Sequence, residues 1–115
     1  MKGTIVSYTD GYAVIDVGFG SITAVTDIQD GSVDVFIRPE NILLSKSMVM
    51  SSARNVLRAN VVEMHSWGPL VDVKLDNELH VIVTRQSVEA LNLAIGVMVF
   101  AIFKATSVHV SRSLR

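Results

Sequence analysis

At 115 residues the chain has room for one domain, or for two small β-modules sharing a core, and its half-hydrophobic composition can fill a real interior. Only 18% of residues are charged and the net charge is −1, which excludes the basic face of a general polyanion or nucleic-acid binder and leaves apolar surface to lie against a partner as well as inside. The absence of cysteine excludes disulfide scaffolds and thiolate metal sites, and no stretch approaches a secretion signal or the ~18 apolar residues of a membrane span, so the expectation is a soluble cytoplasmic chain with no direct membrane insertion.

The first third reads as short strands joined by turns. Thr4 to Tyr8 precedes the turn pair Asp10-Gly11, and Tyr12 to Val17 alternates with Tyr12, Val14 and Asp16 on one face. Gly18-Phe19-Gly20 breaks that strand, Ser21 to Val25 resumes, and Asp30-Gly31 turns the chain into Val33 to Ile37. Arg38-Pro39-Glu40 stops this strand because proline has no N–H for the ladder. Asn41 to Ser45 follows as a short strand, and residues 46–50 read as a linker. The expected division is therefore an N-terminal β portion over 1–46 and a second portion over 51–115.

In the second portion, Asn55 to Met64 is predicted as a long strand, turned around by Ser66-Trp67-Gly68-Pro69. Leu70 to Leu75 alternates with Asp72 and Lys74 outward, Asp76-Asn77-Glu78 makes a hairpin turn, and Leu79 to Val83 returns. Thr84 is placed as the N-cap of a short helix whose stripe is Val88, Leu91 and Ile95, ended by Gly96. Val97 to Val110 is predicted as one long closing strand. The fold class is thus all-β, an OB-like small β-barrel with one short α-helix.

Three polar runs stand out in this apolar chain: Ser51-Ser52-Ala53-Arg54-Asn55, Thr84-Arg85-Gln86-Ser87 and Lys104-Ala105-Thr106-Ser107. Each sets hydroxyls and backbone N–H groups beside a cation and none contains Asp or Glu, which is what a desolvated anion requires. Arg54 has small neighbours and an N–H fork suited to paired oxygens, although an arginine at a strand edge is ordinarily just solvated. On the predicted closing strand, Lys104 shares a face with Phe100, Ile102, Thr106 and Val108, so its charge needs a partner: a buried carboxylate, an escape to water, or a bound oxyanion. Thr84 and Ser87 are expected to cap the helix in any case, and their first turn can also face an anion. His65, His80 and His109 have neither the spacing of a metal site nor a nearby carboxylate triad, and no nucleophile–base pair is evident. Trp67, Phe100 and Phe103 read as core or interface.

Residues 51–110 resemble the Mop, or molbindin, domains that bind molybdate and tungstate. The similarity lies in Ser-Ala-Arg-Asn at 52–55, in Thr84-x-x-Ser87 followed by Leu91-x-Leu93-x-x-Gly96, and in Lys104-Ala105-Thr106-x-Val108. Ala59 stands where the family usually carries glycine. Val35-Phe36-Ile37-Arg38-Pro39-Glu40-Asn41-Ile42-Leu43-Leu44 is similar to the Ile-Arg-Pro-Glu segment of the C-terminal regulatory (TOBE) domain of ABC importer ATPases. No GxxxxGK[ST] phosphate loop is present, so ATP hydrolysis by that mechanism is excluded and the chain is not read as an enzyme.

The resemblance implies a molybdate or tungstate ligand, with no organic cofactor, held by Ser52, Ala53, Arg54, Asn55, Thr84, Ser87, Lys104, Ala105 and Thr106. It implies a homo-oligomer, at least a dimer, together with an ABC ATPase domain and a membrane permease subunit as partners, and a place peripheral to the cell membrane. The implied function is oxyanion sensing that shuts down import when the intracellular oxyanion is high. Two rivals are a free-standing molybdate storage or buffering protein and a structural tail of another importer ATPase with no ligand.

Overall fold

The computed structural model describes residues 1–48 and 51–113, so Val49 and Met50 of the expected linker lie outside the described residues. The chain forms two compact units that interleave in sequence: one takes residues 1–38, 52–55 and those described from Lys104 on, the other those described in 39–51 and Val56–Phe103. Each is built on one curled half-barrel sheet of five strands.

The first unit contains β1 (Lys2–Thr9), β2 (Tyr12–Asp16), β3 (Ser21–Val25), β4 (Gly31–Ile37) and a strand from the far end of the chain, β10 (Val108–Arg112), in the spatial order β10-β4-β1-β2-β3. All its pairs are antiparallel. The β1–β2 turn is Asp10-Gly11, with both residues at positive φ (51° and 84°), the backbone that a two-residue hairpin loop matched to strand twist demands. Period-two alternation puts Ala13 and Ile15, Ile22 and Ala24, and Val33, Val35 and Ile37 inside. Ile15, Ile22 and Val33 are fully buried, and each such side chain contributes about 1.5–3 kcal/mol by leaving water. Gly3 marks a tight approach: a Cβ there would meet Ile15 Cγ2 at 2.6 Å and the Asp16 carbonyl at 3.0 Å.

The second unit contains β5 (Leu43–Ser45), β6 (Asn55–Trp67, whose first residue belongs to the first unit), β7 (Leu70–Leu75), β8 (His80–Thr84), β9 (Met98–Phe103) and the helix α1 (Arg85–Leu91). Its strand order is β5-β9-β6-β7-β8. Val61, Val71, Val73, Leu75, Val81 and Val99 fill its core, and α1 packs on β7 and β8.

The β2 and β7 segments form as the alternation predicts, and β4 ends before Pro39, where a 3₁₀ turn (Pro39–Asn41) replaces it. Three expectations are corrected. β6 runs on to Trp67 and turns only at Gly68-Pro69, with Gly68 at φ 63° and Trp67 paired to Leu70. The helix ends at Leu91, not Gly96: Asn92 adopts the left-handed conformation (φ 50°, ψ 47°) and its N–H returns to the last turn. Ile95 is therefore 69% exposed, outside the stripe, and Leu93 is buried instead.

The third correction matters most for the site. Residues 97–110 are not one strand but β9 and β10, which belong to different sheets and are separated by a 3₁₀ turn over Ala105–Ser107. The physical sign of the break is the loss of alternation, since Ala101, Ile102 and Phe103 are all buried in succession. The Ser107 N–H then donates to the Lys104 carbonyl at 3.0 Å, closing the turn. Lys104 is consequently exposed rather than set in an apolar stripe.

Candidate anion-binding pocket

The pocket of interest lies within the first unit, where the chain re-enters it twice. The first re-entry is the segment 52–55, fastened by Asn55. Its side-chain amide, 3% exposed, accepts from the Thr23 N–H at 2.8 Å and donates to the Thr23 carbonyl at 2.9 Å. Thr23 sits on β3, the edge of its sheet, so this one side chain satisfies the two backbone groups that a further strand would have paired. Asn55 is thus a clamp whose amide is directed at β3.

The clamp holds Arg54 beside β2. The Arg54 guanidinium carbon lies 4.8 Å from the centroid of the Tyr12 ring, a cation–π contact. Tyr12 is paired across the sheet with Val25, and the two form an apolar wall. The second re-entry is Lys104, whose extended backbone (φ −79°, ψ 149°) opens the 3₁₀ turn without a side-chain capping bond. Ala105 is buried under the turn while Thr106 is exposed at its outer side.

Tyr12, Val25, Ser52, Arg54, Lys104, Ala105 and Thr106 line one open cavity of about 290 Å³. No carboxylate lines it, and among the described residues neither Arg54 nor Lys104 forms an ion pair. The contrast within the same unit is direct, because Lys2 pairs with Asp34 at 2.7 Å and Arg112 with Asp30 at 3.7 Å. A roomier cavity of about 460 Å³ lies beside Lys2, but it is lined by Asp16 and its cation is already paired. Two cations without ion pairs, the hydroxyl-bearing Ser52 and Thr106 and the Tyr12–Val25 wall define an environment suited to an anion.

Five of the sequence-predicted residues, Ser52, Arg54, Lys104, Ala105 and Thr106, therefore line one pocket. Ala53 and Asn55 flank Arg54 in the chain and are not among the lining residues. Thr84 and Ser87 belong to the second unit, where they cap α1: Thr84 Oγ1 accepts from the Ser87 N–H at 3.1 Å and donates to Ser87 Oγ at 3.0 Å. Arg85, in the same run, donates to the Gly68 carbonyl at 2.8 Å. Tyr12 and Val25 are lining residues that the sequence reading missed. The available signal was an aromatic that shares a face of β2 with Val14 and Asp16, which the sequence does not connect with Arg54.

Two of the three histidines each face a single carboxylate. His65 contacts Glu63, and His80 contacts Asp72 at 3.1 Å, around a cavity of about 250 Å³ in the second unit that Lys74 also lines. Among the described residues no three His, Cys, Asp or Glu side chains are arranged to hold a metal ion, and no helix is long and apolar enough to cross a membrane.

An all-β, OB-like fold of two curled sheets with a carboxylate-free cationic pocket is the class to which these observations lead. Residues 51–110 match the TOBE domain model, and the chain belongs to the TOBE domain family. It is 38% identical over 84 residues to a molybdate/tungstate import ATP-binding protein, WtpC, of Pyrococcus abyssi, and 40% identical over 83 residues to its counterpart in Pyrococcus horikoshii. Each match covers 70% of this chain and 24% of the relative, so the chain spans about a quarter of the length of these proteins. In fold it is similar to the cytoplasmic molybdate-binding protein ModG with molybdate bound, at a TM-score of 0.85 and 23% identity, over 97% of this chain and 94% of that one.

Proposed function

We propose that this chain is an oxyanion-sensing regulatory domain that binds molybdate or tungstate and, in company with an ABC ATPase domain and a membrane permease, restrains import when the intracellular oxyanion is high. The observation that carries the reading is the pocket in which Arg54 and Lys104, both without a carboxylate partner among the described residues, come together with Ser52 and Thr106. Two positive charges balance a tetrahedral dianion, and about 290 Å³ accommodates it with several waters. Selection against the smaller sulfate requires the donors to close to a spacing that only the larger oxyanion spans at ~2.7–3.0 Å.

Ala53, Ala105 and the backbone of Asn55 enter the proposal as small or clamped neighbours that let the anion approach. Thr84 and Ser87 enter it as a pair from the same or a second copy of the chain, Thr84 orienting the Ser87 hydroxyl and Ser87 donating. Ser87 suits that role, because its oxygen accepts from Thr84 and its own hydrogen is left to give. For regulation, the oxyanion must bind the import-inactive arrangement of the ATPase more tightly than the active one, since equal affinity for both shifts nothing. The ~40% identity to an import ATP-binding protein supports this reading. A storage or buffering role, without an ATPase, is the second reading, favoured by the fold similarity to ModG over nearly the whole of both chains.

Calorimetric titration of the chain with molybdate, tungstate, sulfate and phosphate tests the binding reading: saturable binding of the first two alone is expected, and equal weak binding of all four would refute it. Regulation is then separated from storage by joining the domain to its ATPase and permease and measuring ATP hydrolysis in liposomes. Inhibition by added molybdate is the regulatory result, and an oxyanion-independent rate points to storage.

A further inference from the structure

We infer that Tyr12 is a positioning residue for the oxyanion pocket: the π face of its ring holds the Arg54 guanidinium where the anion is to be bound. This rests on the oxyanion reading above and adds a residue outside the three polar runs.

Arg54 is exposed and, among the described residues, has no ion pair to fix its long side chain. An unrestrained arginine must give up much of its rotamer freedom when it closes on a ligand, and that loss weakens binding. The ring contact at 4.8 Å removes part of this cost in advance. It does so without using any N–H, so all five donors of the guanidinium stay available for oxygens. An aspartate in the place of Tyr12 would also hold Arg54, but it would repel the anion. An aromatic ring anchors the cation through its quadrupole and adds no competing charge.

The anchor is itself well founded. Tyr12 lies in β2, between Thr9 of β1 and Val25 of β3 in the sheet register, so its backbone is fixed on both sides. The approach of Arg54 is fixed by the Asn55 clamp on Thr23 of β3. Ring and guanidinium thus meet because two neighbouring strands, β2 and β3, hold one partner each.

The test compares wild type with Tyr12→Ile, which keeps a strand-forming apolar side chain but has no π face, and with Tyr12→Phe, which keeps the ring and drops the hydroxyl. Molybdate affinity is read by calorimetry, and the ring contact is read independently from the Arg54 Nε–Hε signal by NMR without ligand. Expected are an upfield Arg54 signal in wild type and Tyr12→Phe, its return toward an ordinary position in Tyr12→Ile, and molybdate binding about three- to thirtyfold weaker in Tyr12→Ile and rescued in Tyr12→Phe. Undiminished affinity in Tyr12→Ile overturns the inference while leaving the oxyanion reading intact. Equal losses in the two variants overturn it as well, because the hydroxyl would then be the operative group. Absence of molybdate binding by wild type removes the oxyanion reading and the binding role of Tyr12 with it, whatever the NMR signal shows. Should Tyr12→Ile fail to fold, Tyr12→Trp replaces it: a larger π face should hold or tighten binding, and a loss of threefold or more overturns the inference.

Discussion

Thr84-Arg85-Gln86-Ser87 and Lys104-Ala105-Thr106-Ser107 look alike in the sequence: each has one threonine, one serine and one cation, and each opens a short helical turn. Their polar groups have opposite fates. In the first run the threonine hydroxyl takes the Ser87 N–H and gives its hydrogen to Ser87 Oγ, while the Arg85 guanidinium donates to the Gly68 carbonyl. In the second, the cap residue is a lysine that makes no side-chain capping bond and has no ion pair among the described residues, and Thr106 stands exposed beside it. Ligand-binding capacity follows from donors left over after local structure is satisfied, which residue content alone does not reveal. A threonine at an N-cap position consumes its own acceptor, whereas a lysine there has none to offer and keeps its charge for something else.

The largest expected effect tests what holds the open region in place. Asn55→Ala removes both hydrogen bonds to Thr23 and strands two backbone groups at a sheet edge, so a loss of about 2–4 kcal/mol is expected in urea denaturation. Asn55→Asp keeps the acceptor, loses the donor and should fall between. If Asn55→Ala costs less than 0.5 kcal/mol (about the scatter of surface substitutions), the segment 52–55 is held by something else.

The next test addresses the contrast between the runs directly. At about 100 times its dissociation constant, molybdate should add about 2.7 kcal/mol to the folded state of the wild type. Arg54→Ala and Lys104→Ala should each remove that increment. Arg85→Ala, in a run of similar composition, should retain it, because Arg85 already donates to Gly68. Equal loss in all three would show that general positive charge, and not the pocket, attracts the anion. For the Thr84 run the expectation in the absence of ligand is a cost in stability: Thr84→Ala should lose about 1 kcal/mol through the lost cap, and Thr84→Ser should restore most of it, read in the same denaturation experiment.

Much of the fold could be read from local pattern because local pattern causes it. β2 and β7 alternate strictly, Pro39 cannot continue β4, and Thr84 precedes an amphipathic turn; each rests on neighbours a few residues apart. Residues 97–110 misled because two apolar stretches either side of Lys104-Ala105-Thr106-Ser107 are compatible with one strand or with two that enter different sheets, and only the pairing of β10 with β4 decides. The helix end was misplaced because glycine is the stronger general signal for a left-handed residue, yet Asn92 takes that conformation first. The pocket was half visible. Its cations and hydroxyls stand in polar runs, but Tyr12 and Val25 come from strands far away in sequence, and the interleaving of 52–55 and 104–113 with the first 38 residues is a long-range fact. The division at residues 46–51 is a cut at one point, and no single cut expresses an interleaved pair of units.

The smallest effect sharpens the same comparison in a carboxylate. Asp76, after β7, accepts from the Asn60 backbone N–H and from its side-chain amide, each at 3.0 Å, so its charge is turned onto its own unit as the donors of the Thr84 run are. The Asn60 backbone bond first, and then the side-chain bond, hold the Asp76 carboxyl below its ordinary value of 3.8. Because the folded state prefers the ionised form, this contribution is fully present above the ordinary carboxylate range and disappears as pH falls through the lowered folded value. Asp76→Asn should therefore be slightly less stable than wild type at pH 7, since its amide faces the Asn60 amide with a donor where an acceptor stood. The difference should narrow steadily below about pH 4 as the wild-type carboxyl takes up its proton. Paired urea titrations at pH 7 and pH 2.5 measure this. A gap of constant size across that range would mean that the carboxylate charge contributes nothing and that only the shape of the turn matters.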